Sequence, residues 1–556
     1  MSETPTRSTA GQLLSIIASG WARLALTFVA GTIITLLMIR EFGLIRFGMF
    51  VMIVQVTDLT VYTFLSALSR SMIREFSALR VRKDYERLVQ VFSSGVVLST
   101  GLFLLIASLG VPLQALGVRV LDFAPDLHTD LRNCILATAL LSGLYIGITP
   151  WQALVISSGR IVHLNFFMLL NRMSDLVAIL VVLKFGFAEG FIAFVWLRVC
   201  LRAIVLLSLS AFGRSVVKQA RFSLRAVSRK TLRELTRTGG WAMSIPISQF
   251  SFYELDQLLL NLFAGPIYNS IYGISNQIRG YARLAGSSII LGTDAMASDL
   301  QERGRIESVR NVLDATIRFP LVITGCCAIL LAVFAEPVIT VWLGNAIAEG
   351  MPDNGMAPER LIGIVTTFAV LILIGTVIAE PHYTAASVLY GMGHLRRFSP
   401  IMLVSALAKP LIAAGLLAAG MPAITAILVT LAMQVLLYGI YFPWLIADVS
   451  KRTLREMWWT VYFYPLLSLA IFLGIALTVR LTVPIESLPV LAVVLAGVGC
   501  TYAPLGYFVA LKPAERARLV GMVKSRLGRG RKVAQQPVPS QSIAPTEIDS
   551  SSNTPL

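Results

Sequence analysis

What this 556-residue chain has least of is charge. Only 14% of its residues are Asp, Glu, Lys or Arg, against about 25% in an average soluble domain. By contrast 56% are hydrophobic and the mean hydropathy is +0.76, a balance that excludes an ordinary soluble globular protein. Histidine is scarce as well, and His128, His163, His382 and His394 are scattered over four regions. The five cysteines (Cys134, Cys200, Cys326, Cys327, Cys500) sit in apolar stretches without CxxC or Cys/His spacing, so neither metal, cofactor nor disulfide framework is expected. No Walker A, HExxH or GxSxG pattern occurs, which removes the signatures of an ATPase, a zinc protease and a serine hydrolase. The N-terminal MSETPTRSTA is short and polar. The apolar run behind it is too long for a secretory h-region and lacks a small-residue cleavage site, so it reads as a retained signal anchor.

What is present instead is a series of fourteen hydrophobic stretches. They fall near 12–39, 49–68, 91–114, 131–156, 161–183, 188–212, 237–264, 268–292, 319–344, 361–391, 398–419, 422–447, 457–479 and 487–510. Most are long enough to cross a hydrocarbon core about 30 Å thick. The expected fold class is therefore an all-α polytopic membrane protein with about 14 transmembrane helices. The longest outer connections, about 115–130 and 345–360, are too short to fold around catalytic groups, so no enzyme is expected.

The net charge of +17 is a topology signal, and no nucleic-acid partner is expected. Of the 47 Lys and Arg, alternate connections on one side carry 33, those on the other side carry 7, and 7 lie inside apolar stretches. The positive-inside rule then places both termini in the cytoplasm, with anionic membrane lipids as natural partners of the basic loops.

Two halves are legible. An N-terminal six-helix lobe is expected over 1–212, a basic cytoplasmic connector over 213–236 and a C-terminal six-helix lobe over 237–448. Two extra helices follow at 449–511, then a basic and finally disordered tail over 512–556, Pro/Ser/Gln-rich towards its end. Gly20-Trp21-Ala22 recurs as Gly240-Trp241-Ala242, and Gly43, Phe50 and Gln55 align with Gly265, Tyr272 and Gln277. Such a repeat is parallel, and sites in repeat folds lie near the midplane between the halves.

The seven intramembrane cations are Arg23, Arg172, Arg198, Arg202, Arg279, Arg283 and Lys409. Each costs about 2.5–3.5 kcal/mol at the bilayer centre, so they should face a polar interior. Tyr272, Asn276, Arg279 and Arg283 fall on one helical face, as do Gln249, Tyr253 and Asp256, with Pro246 able to kink that segment. Ser15, Ser19, Arg23 and Thr27 form a third stripe, and Gln55, Asp58 and Tyr62 a fourth. These faces either line a central cleft or pair internally, Asp256 with Arg279 or Arg283 and Asp58 with Arg23. Arg172 and Asp175 should pair at i, i+3, whereas Arg198 and Arg202 have no carboxylate on their own helix. Glu380-Pro381 and Lys409-Pro410 look like helix interruptions, with a Lys409–Glu380 bridge as one pairing and Glu380 as a candidate coupling carboxylate.

Four stretches resemble polysaccharide flippases of the O-antigen type, a branch of the multidrug/oligosaccharidyl-lipid/polysaccharide exporter superfamily. They are LLMIREFGLIRFGMFVMIVQ from Leu36, ELDQLLLNLFAGPIYNSIYGISNQI from Glu254, FAEPVITVWLG from Phe334 and LYGMGHLRR from Leu389. The resemblance implies a flippase that turns an undecaprenyl-diphosphate-linked oligosaccharide across the bacterial cytoplasmic (inner) membrane by alternating access. A lipid-linked anionic oligosaccharide is then the substrate, and glycan polymerase or glycosyltransferases are expected neighbours. On that reading Arg23, Arg279 and Arg283 hold the diphosphate or an acidic sugar. Tyr253, Tyr272, Asn276 and Gln249 offer sugar contacts, and Asp58, Asp256 and Glu380 serve coupling or gating. Two other readings stay open: an ion-coupled exporter of a small molecule, and a non-transporting scaffold for glycan assembly.

Overall fold

A computed structural model describes residues 9–239, 243–287, 306–350, 356–511 and 516. Among them there is no strand, and helices follow one another with short turns. In hydrocarbon this is forced, because a backbone without water must satisfy its own polar groups.

The first half comprises α1 (Thr9–Phe42), α2 (Leu44–Arg82), α3 (Tyr85–Val120), α4 (His128–Gly147), α5 (Thr149–Ser157), α6 (Ile161–Phe185) and α7 (Gly190–Val216). The connector carries α8 (Arg229–Gly239). The second half comprises α9 (Ser244–Tyr253), α10 (Leu255–Ala264), α11 (Ile267–Ser287), α12 (Ile306–Val333), α13 (Ala335–Gly350), α14 (Pro358–Gly391), α15 (Leu395–Ala418), α16 (Ile424–Gln434) and α17 (Phe442–Val449). After these come α18 (Leu454–Met457), α19 (Phe463–Thr482) and α20 (Leu488–Leu505). A π-helical turn at Val435–Tyr441 joins α16 to α17, and another at Trp458–Tyr462 joins α18 to α19.

Among the described residues ten helices are long and apolar enough to cross a membrane, or eleven if the pair bent by 42° around Gly147 counts as one span. The expected total of fourteen depends on three more passages, α2, α9 with α10, and α11. α9 and α10 are parted at Glu254 and α11 carries a polar stripe, while α2 is apolar over Leu44–Thr57, the stretch of it that is described before residue 58. α9 and α10 are 10 residues each, and they part at Glu254 rather than at Pro246, which sits harmlessly in the first turn of α9. Two expected interruptions are absent. α14 runs through Pro381 and α15 through Pro410. Pro410 deprives the Ala406 carbonyl of its helical donor, and the Ser251 hydroxyl donates to that carbonyl instead.

Gly43 and Gly265 correspond in the repeat and adopt nearly the same backbone conformation, φ 85 and ψ 160 against φ 95 and ψ 169. Both join consecutive helices by a positive φ that a side chain resists. The Gly20-Trp21-Ala22 correspondence, and the side chains of Asp58 and Tyr62, lie outside the described residues. So does the tail apart from Arg516.

The halves meet over one end of the bundle, the end bearing Gly43. Ser270 donates to the Leu44 carbonyl at 2.6 Å, Thr35 to Gln277 at 2.7 Å and Trp342 to the Thr32 carbonyl at 3.1 Å. A Cβ on Gly48 would collide with the Ser270 hydroxyl, and one on Gly350 would stand 2.5 Å from the Ile39 carbonyl. The seam closes because these two positions have no side chain. Among the described residues, the hydrogen bonds and ion pairs between the halves all fall between residues 31–55 or 122 and residues 261–281 or 342–349.

Candidate functional site

Below this seam lies a cavity of about 740 Å³ lined by residues of both halves. Arg202 and Arg279 stand equally far along α7 and α11 from the sealed ends of those helices, which begin at Gly190 and Ile267. At a rise of about 1.5 Å per residue that is about 18 Å of depth, near the middle of a core about 30 Å thick. The lining includes five arginines, Arg172, Arg198, Arg202, Arg279 and Arg283, against two carboxylates, Asp175 and Glu254.

On the first-half wall, one carboxylate gathers three guanidiniums. Asp175 on α6 accepts from Arg202 at 2.7 and 2.5 Å, from Arg198 at 3.1 Å and from Arg172 at 3.3 Å. Arg198 also lies over the Phe50 ring, 5.1 Å from its centroid. Among the described residues three cations here gather around one anion, in a medium where each interaction is stronger than in water. The i, i+3 pairing of Arg172 with Asp175 is present, yet it is the weakest member of a larger cluster. That α7 supplies no carboxylate is correct, but its neighbour α6 does.

On the second-half wall each arginine has its own carboxylate. Arg279 lies 3.8 Å from Glu254, its Nε donates to Asn276 at 2.5 Å, and its guanidinium sits 3.8 Å from the Tyr253 ring centroid. Asn276 continues to Gln55 of α2 at 3.1 Å. Arg283 pairs with Glu380 at 2.7 Å. So Asp256 pairs with neither arginine, and Glu380 does not pair with Lys409. Lys409 and Asp256 bond each other with side chains wholly buried. Lys409 also donates to the Ser251 carbonyl at 2.8 Å, and Thr430 donates to Asp256 at 2.5 Å.

Of the residues expected to contact substrate, Arg279, Arg283, Asn276 and Gln249 line the cavity. Arg23 is not in the lining; its Nη1 lies 3.0 Å from the Met168 sulfur, and it is Met168 that faces the cavity. Tyr253 is buried beneath Arg279. Tyr272 is buried too, and its hydroxyl donates to the Tyr253 carbonyl, which the break between α9 and α10 leaves without a helical donor. Both tyrosines support the site rather than face it. Gly273 and Gly286 lie against close neighbours, Val51 and Thr324, whereas Gly280 has open space and lines the cavity. Gln55, on a stripe expected to line a cleft or pair internally, and Arg198 and Arg202, among the cations expected to face a polar interior, also line the cavity; sequence reasoning missed Asp175, Gln277 and Tyr281 as lining residues.

No protein-family model matches the chain. The uncharacterized membrane protein EpsK of Bacillus subtilis is 24% identical over 289 residues, 51% of this chain and 56% of EpsK. The match thus spans little more than half of that relative. The lipid II flippase MurJ, in an inward closed conformation, superposes over 88% of this chain and 98% of its own, with a TM-score of 0.60 and 11% identity. An inward-facing multidrug resistance MATE transporter of the MOP superfamily covers 78% of this chain and 99% of its own, at TM-score 0.58 and 12% identity. The fold is therefore shared with these flippase and MATE transporter structures, and the chain is a multi-pass membrane protein.

Proposed function

We propose that this chain is a flippase for a lipid-linked anionic oligosaccharide, the undecaprenyl-diphosphate class that the sequence resemblance implies, working by alternating access between its halves in surface-polysaccharide assembly. One observation carries the reading: a mid-depth cavity with five arginines against two carboxylates. A diphosphate cannot cross hydrocarbon unaided, and guanidinium forks bind phosphate oxygens bidentately. The volume falls in the range of about 300–1,000 Å³ usual for small-molecule sites. It suits the polar head of such a substrate, with the polyprenyl tail left in the bilayer. Excess positive charge is also the wrong sign for a cationic drug.

With the basic loops in the cytoplasm, the Gly43 seam is the outer gate and the cavity faces inward. Arg279 and Arg283, each already held by a carboxylate, exchange that partner for substrate oxygens. The Asp175 cluster holds charge in reserve whether or not substrate is bound. Fold similarity to a lipid II flippase supports a lipid-linked cargo.

The test is complementation of a strain lacking its own glycan flippase, with membrane levels of each variant measured alongside. Wild type should restore surface glycan, whereas Arg202→Gln, Arg279→Ala and Arg283→Ala should fail at normal protein levels. Arginine variants as active as wild type would overturn the reading. Loss confined to Glu380→Gln and Glu254→Gln would favour an ion-coupled exporter.

A further inference from the structure

Between α7 and the second half, residues 217–239 are folded onto the first half. Val217, Ala220 and Leu235 are buried in one apolar cluster with Met72, Phe76, Leu88 and Val91. The Ser223 amide donates to Ser93 at 3.0 Å and the Ser228 amide to Ser94 at 3.3 Å. Arg87 bonds Thr231 at 3.1 Å and Glu234 at 2.9 Å. These ties fix which way the segment's other side chains face. Lys218, Arg221, Arg225, Arg229, Lys230 and Arg233 are all exposed. The segment's one carboxylate, Glu234, is taken by Arg87. Among these cations two large apolar side chains are also exposed, Phe222 at 48% and Leu224 at 72%.

We infer that residues 218–233 form a preorganised docking surface for the phosphate headgroups of anionic phospholipids in the leaflet beside α7. Three observations select this occupant. The first is position: Phe222 follows closely on Val216, the last residue of a membrane-spanning helix. At no more than about 3.4 Å per residue, it lies within about 20 Å of that end. The second is chemistry. Cations flanking exposed aromatic and aliphatic groups match an interface where phosphates lie above acyl carbon. The third is rigidity. Docking to α2 and α3 removes the ordering cost that a free basic loop incurs on binding. The surface belongs to the connector between the halves and, among the described residues, its hydrogen bonds run to α3 of the first half, so bound lipid anchors that half against the leaflet.

The test uses the full chain in neutral detergent and follows its thermal midpoint on adding phosphatidylglycerol, phosphatidylcholine, inorganic phosphate or polyglutamate. The variants are Arg221→Gln/Arg225→Gln/Arg229→Gln, Phe222→Ser/Leu224→Ser, and a control, Arg396→Gln/Lys451→Gln/Arg455→Gln, that removes three cations elsewhere. Phosphatidylglycerol should raise the midpoint of wild type and control. The connector triple variant should lose most of that rise, since each cation near an anionic surface is worth about 1 kcal/mol, roughly fivefold in affinity. The Phe222/Leu224 variant should lose part of it with its charges intact. Connector variants that respond like wild type would overturn the inference. So would a rise with polyglutamate equal to that with phosphatidylglycerol, which would assign the surface to an acidic protein, or one with inorganic phosphate, which would assign it to free anions.

Discussion

The two halves place a charged residue at the same point and use it in opposite ways. Asp175 on α6 and Lys409 on α15 occupy the same position counted from the first residue of their helices, Ile161 and Leu395. In the first half the anion attracts three arginines, two of them from the following helix, and the cluster faces the cavity. In the second half the cation is matched by one anion, Asp256, and the pair is sealed from the cavity. The charge on α6 therefore gathers its partners where a ligand can meet them, and the charge on α15 is cancelled where nothing can. Charge at membrane depth is not by itself a sign of a binding site; what decides is whether it faces the cavity or is sealed from it.

The sharpest way to break this comparison is to unbalance the sealed pair. Lys409→Met leaves a buried carboxylate held by Thr430 alone, and Asp256→Asn leaves a buried ammonium. Removing one partner of a buried pair costs about 3–5 kcal/mol, whereas replacing both with apolar groups is often neutral. Each single variant should lower the thermal midpoint steeply and deplete the protein from membranes, and Asp256→Leu/Lys409→Met should recover most of the loss. A double variant as unstable as either single one would mean that the pair does more than cancel itself.

A smaller stability effect is expected in the first half. Arg202→Gln removes the arginine with the shortest bonds to Asp175 yet leaves Arg198 and Arg172 in place, so about 1–3 kcal/mol is lost. Transport should suffer more than stability, because a guanidinium that lines the cavity is gone. Equal destabilisation by Arg202→Gln and Lys409→Met, measured as midpoints side by side, would remove the distinction between the halves.

Helical periodicity foresaw the second-half wall better than the first. Asn276, Arg279 and Arg283 share one helix, so their common face is legible at i, i+3 and i+7. The Asp175 cluster joins residues 23 and 27 positions apart on adjacent helices, and no pattern within one helix reveals it. A depth argument would have done so. Counted back from Phe185, where α6 ends, Asp175 falls midway between the depths of Arg198 and Arg202 counted forward from Gly190, where α7 begins. Opposite charges at equal depth on consecutive antiparallel helices are obliged to meet. The all-helical class was legible because apolar length is a local property. Tyr272 was misjudged because its partner, an orphaned carbonyl at a helix break, leaves no trace in side-chain pattern.

The smallest expected effects come from glycines that each half keeps beside its charges. A Cβ on Gly375 would collide with the Oε1 of Gln434, which is buried on α16 beside the Asp256 pair. One on Gly31 would stand 2.9 Å from an Nη of Arg172 and 3.3 Å from the Tyr281 hydroxyl. Alanine gains about 1 kcal/mol of helix propensity at either place. At Gly375 the enclosed amide has little room to move, and overpacking of about 1–3 kcal/mol should leave the variant slightly less stable than wild type. At Gly31 the neighbour is the tip of a long side chain that lines open cavity, so Arg172 can swing aside and stability should hold or rise. That movement carries a guanidinium away from Asp175 and towards the space that substrate would occupy. Gly31→Ala should therefore change surface-glycan output without lowering the midpoint, and Gly375→Ala should lower the midpoint with output falling only in step with protein level. The reverse assignment would mean that output depends on packing beside the sealed Asp256–Lys409 pair and not on the placement of Arg172.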